Sequence, residues 1–197
     1  MSDVDFGLAG HKLKSPLASI NALLFILKKE INKKDKTAIK HITEIETKTE
    51  ILNKRINQFI LFLEYEKEKV DFLYELFDIA EVITFLKRKN NNLKIKTINQ
   101  LIVADKEKIE FALLSFLKSF IKVKKINVAK ENKKIEFRIS GEVSIEALDA
   151  KKIFDEKDDK ALNLFIAKKI IELHKGKVKI DKKLVAISIP LKPASKN

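Results

Sequence analysis

From Leu13 the apolar positions fall at Leu13, Leu17, Ile20, Leu24, Leu27 and Ile31, in alternating steps of four and three. That spacing keeps one seam of a helix turned to a neighbour, with Leu13 at heptad position d and Leu17 at a. After Asn32-Lys33-Lys34-Asp35-Lys36 a second seam runs through Ile42, Ile45, Thr49, Leu52, Ile56, Phe59 and Leu63. Two such helices joined by a polar run form an antiparallel hairpin. Further apolar residues flank both seams, in Ala22-Leu23-Leu24-Phe25-Ile26-Leu27 and Phe59-Ile60-Leu61-Phe62-Leu63, and widen each stripe beyond what a two-helix contact covers. A second copy of the hairpin would cover the remainder, so a homodimeric four-helix bundle is expected.

The pattern changes at Tyr65-Glu66-Lys67-Glu68-Lys69, a charged stretch that reads as helix end and linker. It divides the chain into a hairpin, 1–69, and a mixed domain, 70–197. In the mixed domain, strands are expected at Phe72–Phe77, Leu93–Ile98, Leu101–Val103, Lys125–Ala129, Lys134–Ile139, Val178–Ile180 and Leu184–Pro190. Helices are expected at Ile79–Lys89, capped by Asp78, and at Asp105–Lys122, Ile145–Phe154 and Lys160–His174. The fold class is α+β, a helical hairpin followed by an α/β sandwich.

Composition narrows the chemistry. A hydrophobic content of 45% supports a packed core, and charged residues at 35% support a soluble chain. No apolar run reaches the roughly 18 residues that span a bilayer, and Met1 to Phe6 has no signal-peptide pattern, so a cytoplasmic protein is expected. The absence of Cys excludes disulfides and thiolate metal sites, and the three His have no metal-ligand spacing, so no metal site is expected. The net charge of +13 invites a nucleic-acid reading. Only Arg55, Arg88 and Arg138 among the 41 basic residues are arginine, the better fork for phosphate and base edges. The wealth of Lys, Ile and Asn fits an AT-rich coding bias better than a polyanion footprint, and nucleic acid is not the expected partner.

His11 lies in the run His11-Lys12-Leu13-Lys14-Ser15-Pro16-Leu17. With Leu13 at d and Leu17 at a, it occupies a b position on the solvent side of the seam. A buried core histidine is disfavoured there; a plain surface histidine and a functional one both remain open. Pro16 stands inside a strongly periodic helix, where it removes an amide donor and bends the axis.

This segment resembles the phosphoacceptor box of histidine kinases, matching it at His11, Lys14, Ser15, Pro16 and Leu17. The resemblance continues through Phe77-Asp78-Ile79, Ala104-Asp105 with Phe111 to Val123, Ile153-Phe154-Asp155, Ile166 to Gly176 and Ile187 to Leu191. It implies a sandwich of the histidine-kinase ATPase type and a phosphorylatable His11. The departures fall on nucleotide-holding positions. Ser119 stands for the magnesium-coordinating asparagine, whose carbonyl reach it cannot replace, and Ser115 for its helical companion. Ser140 stands for the adenine-reading aspartate, Glu142 and Ser144 for two loop glycines, and Ala161 and Asn163 for two glycines of the second glycine box. The four glycines, Gly7, Gly10, Gly141 and Gly176, assemble no phosphate cradle elsewhere, and Gly141 reads as a turn. Lys12 replaces the acidic residue that accepts the imidazole proton, and a lysine is no base near neutral pH.

The resemblance therefore implies a degenerate ATP-binding domain, with no cofactor bound by this chain, behind a dimeric phosphoacceptor hairpin. With only a few residues before the first helix, no sensor or membrane anchor is expected. Function is then histidine phosphotransfer in a phosphorelay: His11 takes a phosphoryl group from one receiver-domain aspartate and gives it to another, with Mg²⁺ held by the receiver. Partners are response-regulator receiver domains or a hybrid kinase. Lys12 and Lys14 would offer charge near the phosphoryl group, or serve as surface lysines. Ser15 would contact the receiver, or bond back to helix carbonyls. Ala18, Asn21, Ala22, Phe25 and Phe62 complete the expected docking surface, with burial in the dimer core the other reading of Phe25 and Phe62. The rivals are a divergent ATP-dependent histidine kinase, a non-catalytic protein that binds a response regulator, and a nucleic-acid binder.

Overall fold

The computed structural model describes residues 6–31, 35–144 and 159–192, with side chains from Lys14 onward. It separates into two compact units, Met1–Lys67 and Glu68–Asn197.

The first unit is a helical hairpin. Helix α1 spans Phe6–Glu30 and runs through Pro16 without interruption, and α2 spans Lys36–Glu66. Asp35 caps α2 by accepting the Ala38 amide at 3.0 Å, which satisfies one of the donors a helix start leaves free. Of the expected seam only the a positions close: Leu17, Leu24, Ile42 and Thr49 are buried. The d positions Ile20, Leu27, Ile45, Leu52 and Phe59 are 40%, 50%, 47%, 50% and 46% exposed. This corrects the single-seam reading. The two helices of this hairpin meet along the a positions, and the seam is rotated so that the d positions face away from the contact.

The second unit opens with β1 (Glu75–Asp78), α3 (Ile79–Lys89) and β2 (Leu101–Ala104), the two strands pairing antiparallel. Asp78 and Glu81 form a reciprocal capping box at the start of α3. Helix α4 (Lys106–Lys118), strands β3 (Phe120–Glu131) and β4 (Lys134–Val143), helix α5 (Lys160–Leu173) and strands β5 (Lys177–Ile180) and β6 (Leu184–Pro190) follow. The larger sheet is antiparallel in the order β3-β4-β6-β5. Ile135, Phe137 and Ile139 of β4 and Val185, Ile187 and Ile189 of β6 alternate inward and are buried, as are Ile83 of α3, Leu113 and Phe116 of α4, and Ile166 and Ile170 of α5. Each such side chain contributes about 1.5–3 kcal/mol by leaving water.

Several sequence expectations are corrected. The first strand lies at Glu75–Asp78 rather than Phe72–Phe77. Leu93–Ile98 is no strand: Ile95 is buried, but the segment crosses without ladder partners and its apolar residues act only as anchors. Helix α4 ends at Lys118, four residues early, because Phe120 to Val123 pair with β4 and tertiary hydrogen bonding overrides a helix-compatible pattern. Gly141 is no turn but part of β4. A Cβ there would meet the Lys122 carbonyl oxygen at 2.1 Å, so only glycine lets β3 approach. The expected helix Ile145–Phe154 lies outside the described residues.

Candidate functional site

His11 and Lys12 lie within α1, and their side chains fall outside the described residues. The face that continues from His11 is described. Ser15, Ala18, Ala22 and Phe25 follow it at i+4, i+7, i+11 and i+14, one stripe about 21 Å long. Together with Lys14 and Asn21 they are all exposed, and Phe25 is 59% exposed with the Lys29 ammonium 4.3 Å over its ring. Phe62 on α2 is half-buried. Ser15 also serves as an acceptor within α1, its carbonyl taking the Ser19 hydroxyl at 3.3 Å.

In the second unit the positions expected to be degenerate are occupied by internal structure. Ser119 is 1% exposed and caps α4. Its hydroxyl donates to the Phe116 carbonyl at 2.6 Å, and its own carbonyl accepts the Ser144 amide at 2.8 Å. Ser115 and Ser144 are buried. Ser140 lies in β4 with its hydroxyl donating to the Lys125 carbonyl at 3.3 Å. Glu142 is likewise in the strand, exposed opposite Lys122, and not in a loop. Ala161 is buried and Asn163 half-buried in the first turn of α5, behind Asp159 at the N-cap. Asp159 puts an acidic residue at the N-cap, without a side-chain cap hydrogen bond. These residues do not fit a magnesium–nucleotide complex: the hydroxyl nearest the asparagine role is bound to its own helix, and no glycine opens the backbone.

A buried polar knot escaped the sequence reading. His174 Nε2 accepts the Asp105 amide at 3.1 Å, and Nδ1 donates to the Ile170 carbonyl at 2.7 Å. The Asp105 carboxylate caps α4 through the Lys108 amide and also accepts the Leu73 amide at 3.0 Å. Phe72 meets the imidazole edge-on at 4.6 Å between centroids, and Tyr74 packs on it at 5.2 Å. Burial lowers the His174 pKa, and burial, with the Asp105 charge adding to it, raises that of Tyr74. The signal was present in the sequence: His174 follows Ile170 by four and Ile171 by three, on the apolar face of its helix.

The likeness to solved structures is extensive. The histidine kinase AdeS of Acinetobacter baumannii superposes with a TM-score of 0.56 at 18% identity, covering 92% of this chain and 98% of that one. This chain has the histidine-kinase core fold. Full-length ShkA, solved in complex with AMPPNP, aligns with all of this histidine-kinase-like core at a TM-score of 0.66 and 14% identity, over 47% of its own length. Histidine kinase ThkA, in complex with the response regulator protein TrrA, aligns at 0.51 and 23% identity, over 96% of this chain and 62% of that one. No family model and no curated protein matches the sequence of the core. Among the described residues no helix is long and apolar enough to cross a membrane, and no metal-binding cluster forms.

Proposed function

We propose that this histidine-kinase-like core is a phosphorelay histidine phosphotransferase without an ATP-dependent activity of its own. An imidazole nitrogen of His11 attacks the phosphorus of a receiver aspartyl phosphate, the P–O bond to the carboxylate breaks, a P–N bond forms, and the imidazole proton is released. A second receiver carboxylate reverses these steps. The receiver supplies Mg²⁺ and most of the charge stabilisation, so the mechanism asks of this chain only a neutral imidazole at His11 of α1.

The observation that carries the reading is Ser119, buried and hydrogen-bonded to its own helix at the position where the resemblance requires a metal-coordinating asparagine. The exposed stripe Ser15, Ala18, Asn21, Ala22 and Phe25 supports receiver docking, and in this reading Lys12 and Lys14 offer positive charge to the phosphoryl group. A response regulator is the partner of ThkA in its complex, which supports the same partner class for this chain. The exposed d positions of the hairpin support a homodimer.

The test is incubation with phosphorylated receiver domains from the same genome. Acid-labile, base-stable label is expected on the wild-type chain and absent from His11→Gln, with no labelling from ATP and Mg²⁺ alone. Label from ATP alone would make the chain a kinase, and no transfer from any receiver would make it a binding protein.

A further inference from the structure

A cavity of about 430 Å³ opens between the end of α3, the end of α4 and the start of β3. Lys89, Lys94, Lys118, Lys124 and Lys125 line it, and no carboxylate does. Elsewhere Lys28, Lys106 and Lys168 find Glu46, Glu81 and Glu172, but none of the five has an ion-pair partner among the described residues. Lys89 and Lys118 close the last turns of α3 and α4, where the negative helix ends favour a cation. That account does not extend to Lys94, Lys124 or Lys125.

The backbone at Lys124 is built for this placement. In a regular strand successive side chains alternate, yet Val123, Lys124, Lys125 and Ile126 all line the cavity. The ladder shifts register between Phe120 and Lys122 and again between Val123 and Lys125, leaving Ile121 and Lys124 as extra residues. Exposure doubles at both places, with 121 and 122, and then 124 and 125, facing solvent in succession. Such bulges re-aim side chains. Gly141 sits opposite Val123 and admits the Lys122 carbonyl where any Cβ would exclude it. Leu117, Phe120 and Ile126 also line the cavity, are buried and give it an apolar floor.

We propose that this cavity binds a small diphosphate-bearing molecule, its charged end among the lysines and its apolar body against the floor. Lysine is a compact point charge suited to phosphate, and the volume matches small-molecule pockets. The site is separate from the degenerate nucleotide positions, since Leu114 and Lys118 face the cavity while Ser115 and Ser119 lie one helical step, about 100°, round α4.

Calorimetric titration of the full chain with inorganic pyrophosphate, GDP and farnesyl diphosphate tests it. Pyrophosphate should bind more tightly at low salt than at high, and one of the two bodies should improve affinity by at least about tenfold, identifying the source as nucleotide or isoprenoid. Lys94→Gln with Lys124→Gln, and separately Lys125→Gln, should each weaken binding, while Lys179→Glu on β5 should not. Absence of diphosphate binding, equal affinity for all three probes, unchanged binding in the cavity variants, or equal loss in Lys179→Glu would overturn the proposal. So would duplex DNA held by the same lysines and not displaced by pyrophosphate.

Discussion

His174 Nε2 accepts the Asp105 amide, so a proton there would set two N–H groups against each other inside the fold. The folded protein therefore prefers the neutral ring, with a pKa below the unfolded value near 6.5. Between the two pKa values the unfolded chain binds the extra proton, so this stability is complete above about pH 6.5 and is lost as pH falls through the folded pKa. Denaturant midpoints should fall with acidification in the wild type, and this component should vanish in His174→Ala. That variant should also lose about 2–3 kcal/mol at neutral pH by orphaning the Asp105 amide. At Gly141 the constraint is steric. Gly141→Ala drives a methyl into the Lys122 carbonyl and should cost about 3 kcal/mol, read as a lower midpoint in a denaturant melt. Neither role follows from residue type alone: one needs the neighbours of an imidazole, the other the position of a second strand.

At the scale of elements, the hairpin helices carry two apolar sets with different work. The a set, with Leu17 and Leu24 on α1 and Ile42 and Thr49 on α2, is buried within one hairpin, whereas the d set is left open. A second hairpin packed on the d set would bury it, and sedimentation should show a dimer for the wild type. Ile45→Ser with Leu52→Ser should shift it to monomer, while Leu24→Ala should instead destabilise the hairpin itself by about 2–4 kcal/mol. The helices α1, α2, α3 and α5 were legible because periodicity and a cap such as Asp78 are local signals. The junction of α4 and β3 was not. Phe120, Ile121 and Val123 satisfy helix and strand patterns alike, and only pairing with β4 decides between them.

For the whole molecule, the order of elements along the chain pointed to the α+β class, a helical hairpin followed by an α/β sandwich, and the resemblance carried by His11 to Leu17 and the later segments implied the histidine-kinase type of that sandwich. The sequence by itself also marked His11 through its run to Leu17, and marked Ser119, Ala161 and Asn163 as departures, since these are matters of residue identity and spacing. What those departures do was decided by tertiary structure. Ser119 becomes a helix cap, Ser140 a cross-strand donor and His174 the centre of a buried knot. The division of the seam into covered and open halves, and the gathering of five lysines around one cavity, likewise required the fold. Burial and hydrogen-bond partners come from residues distant in the chain, as with His174 and Asp105, and no local pattern encodes which distant groups will meet.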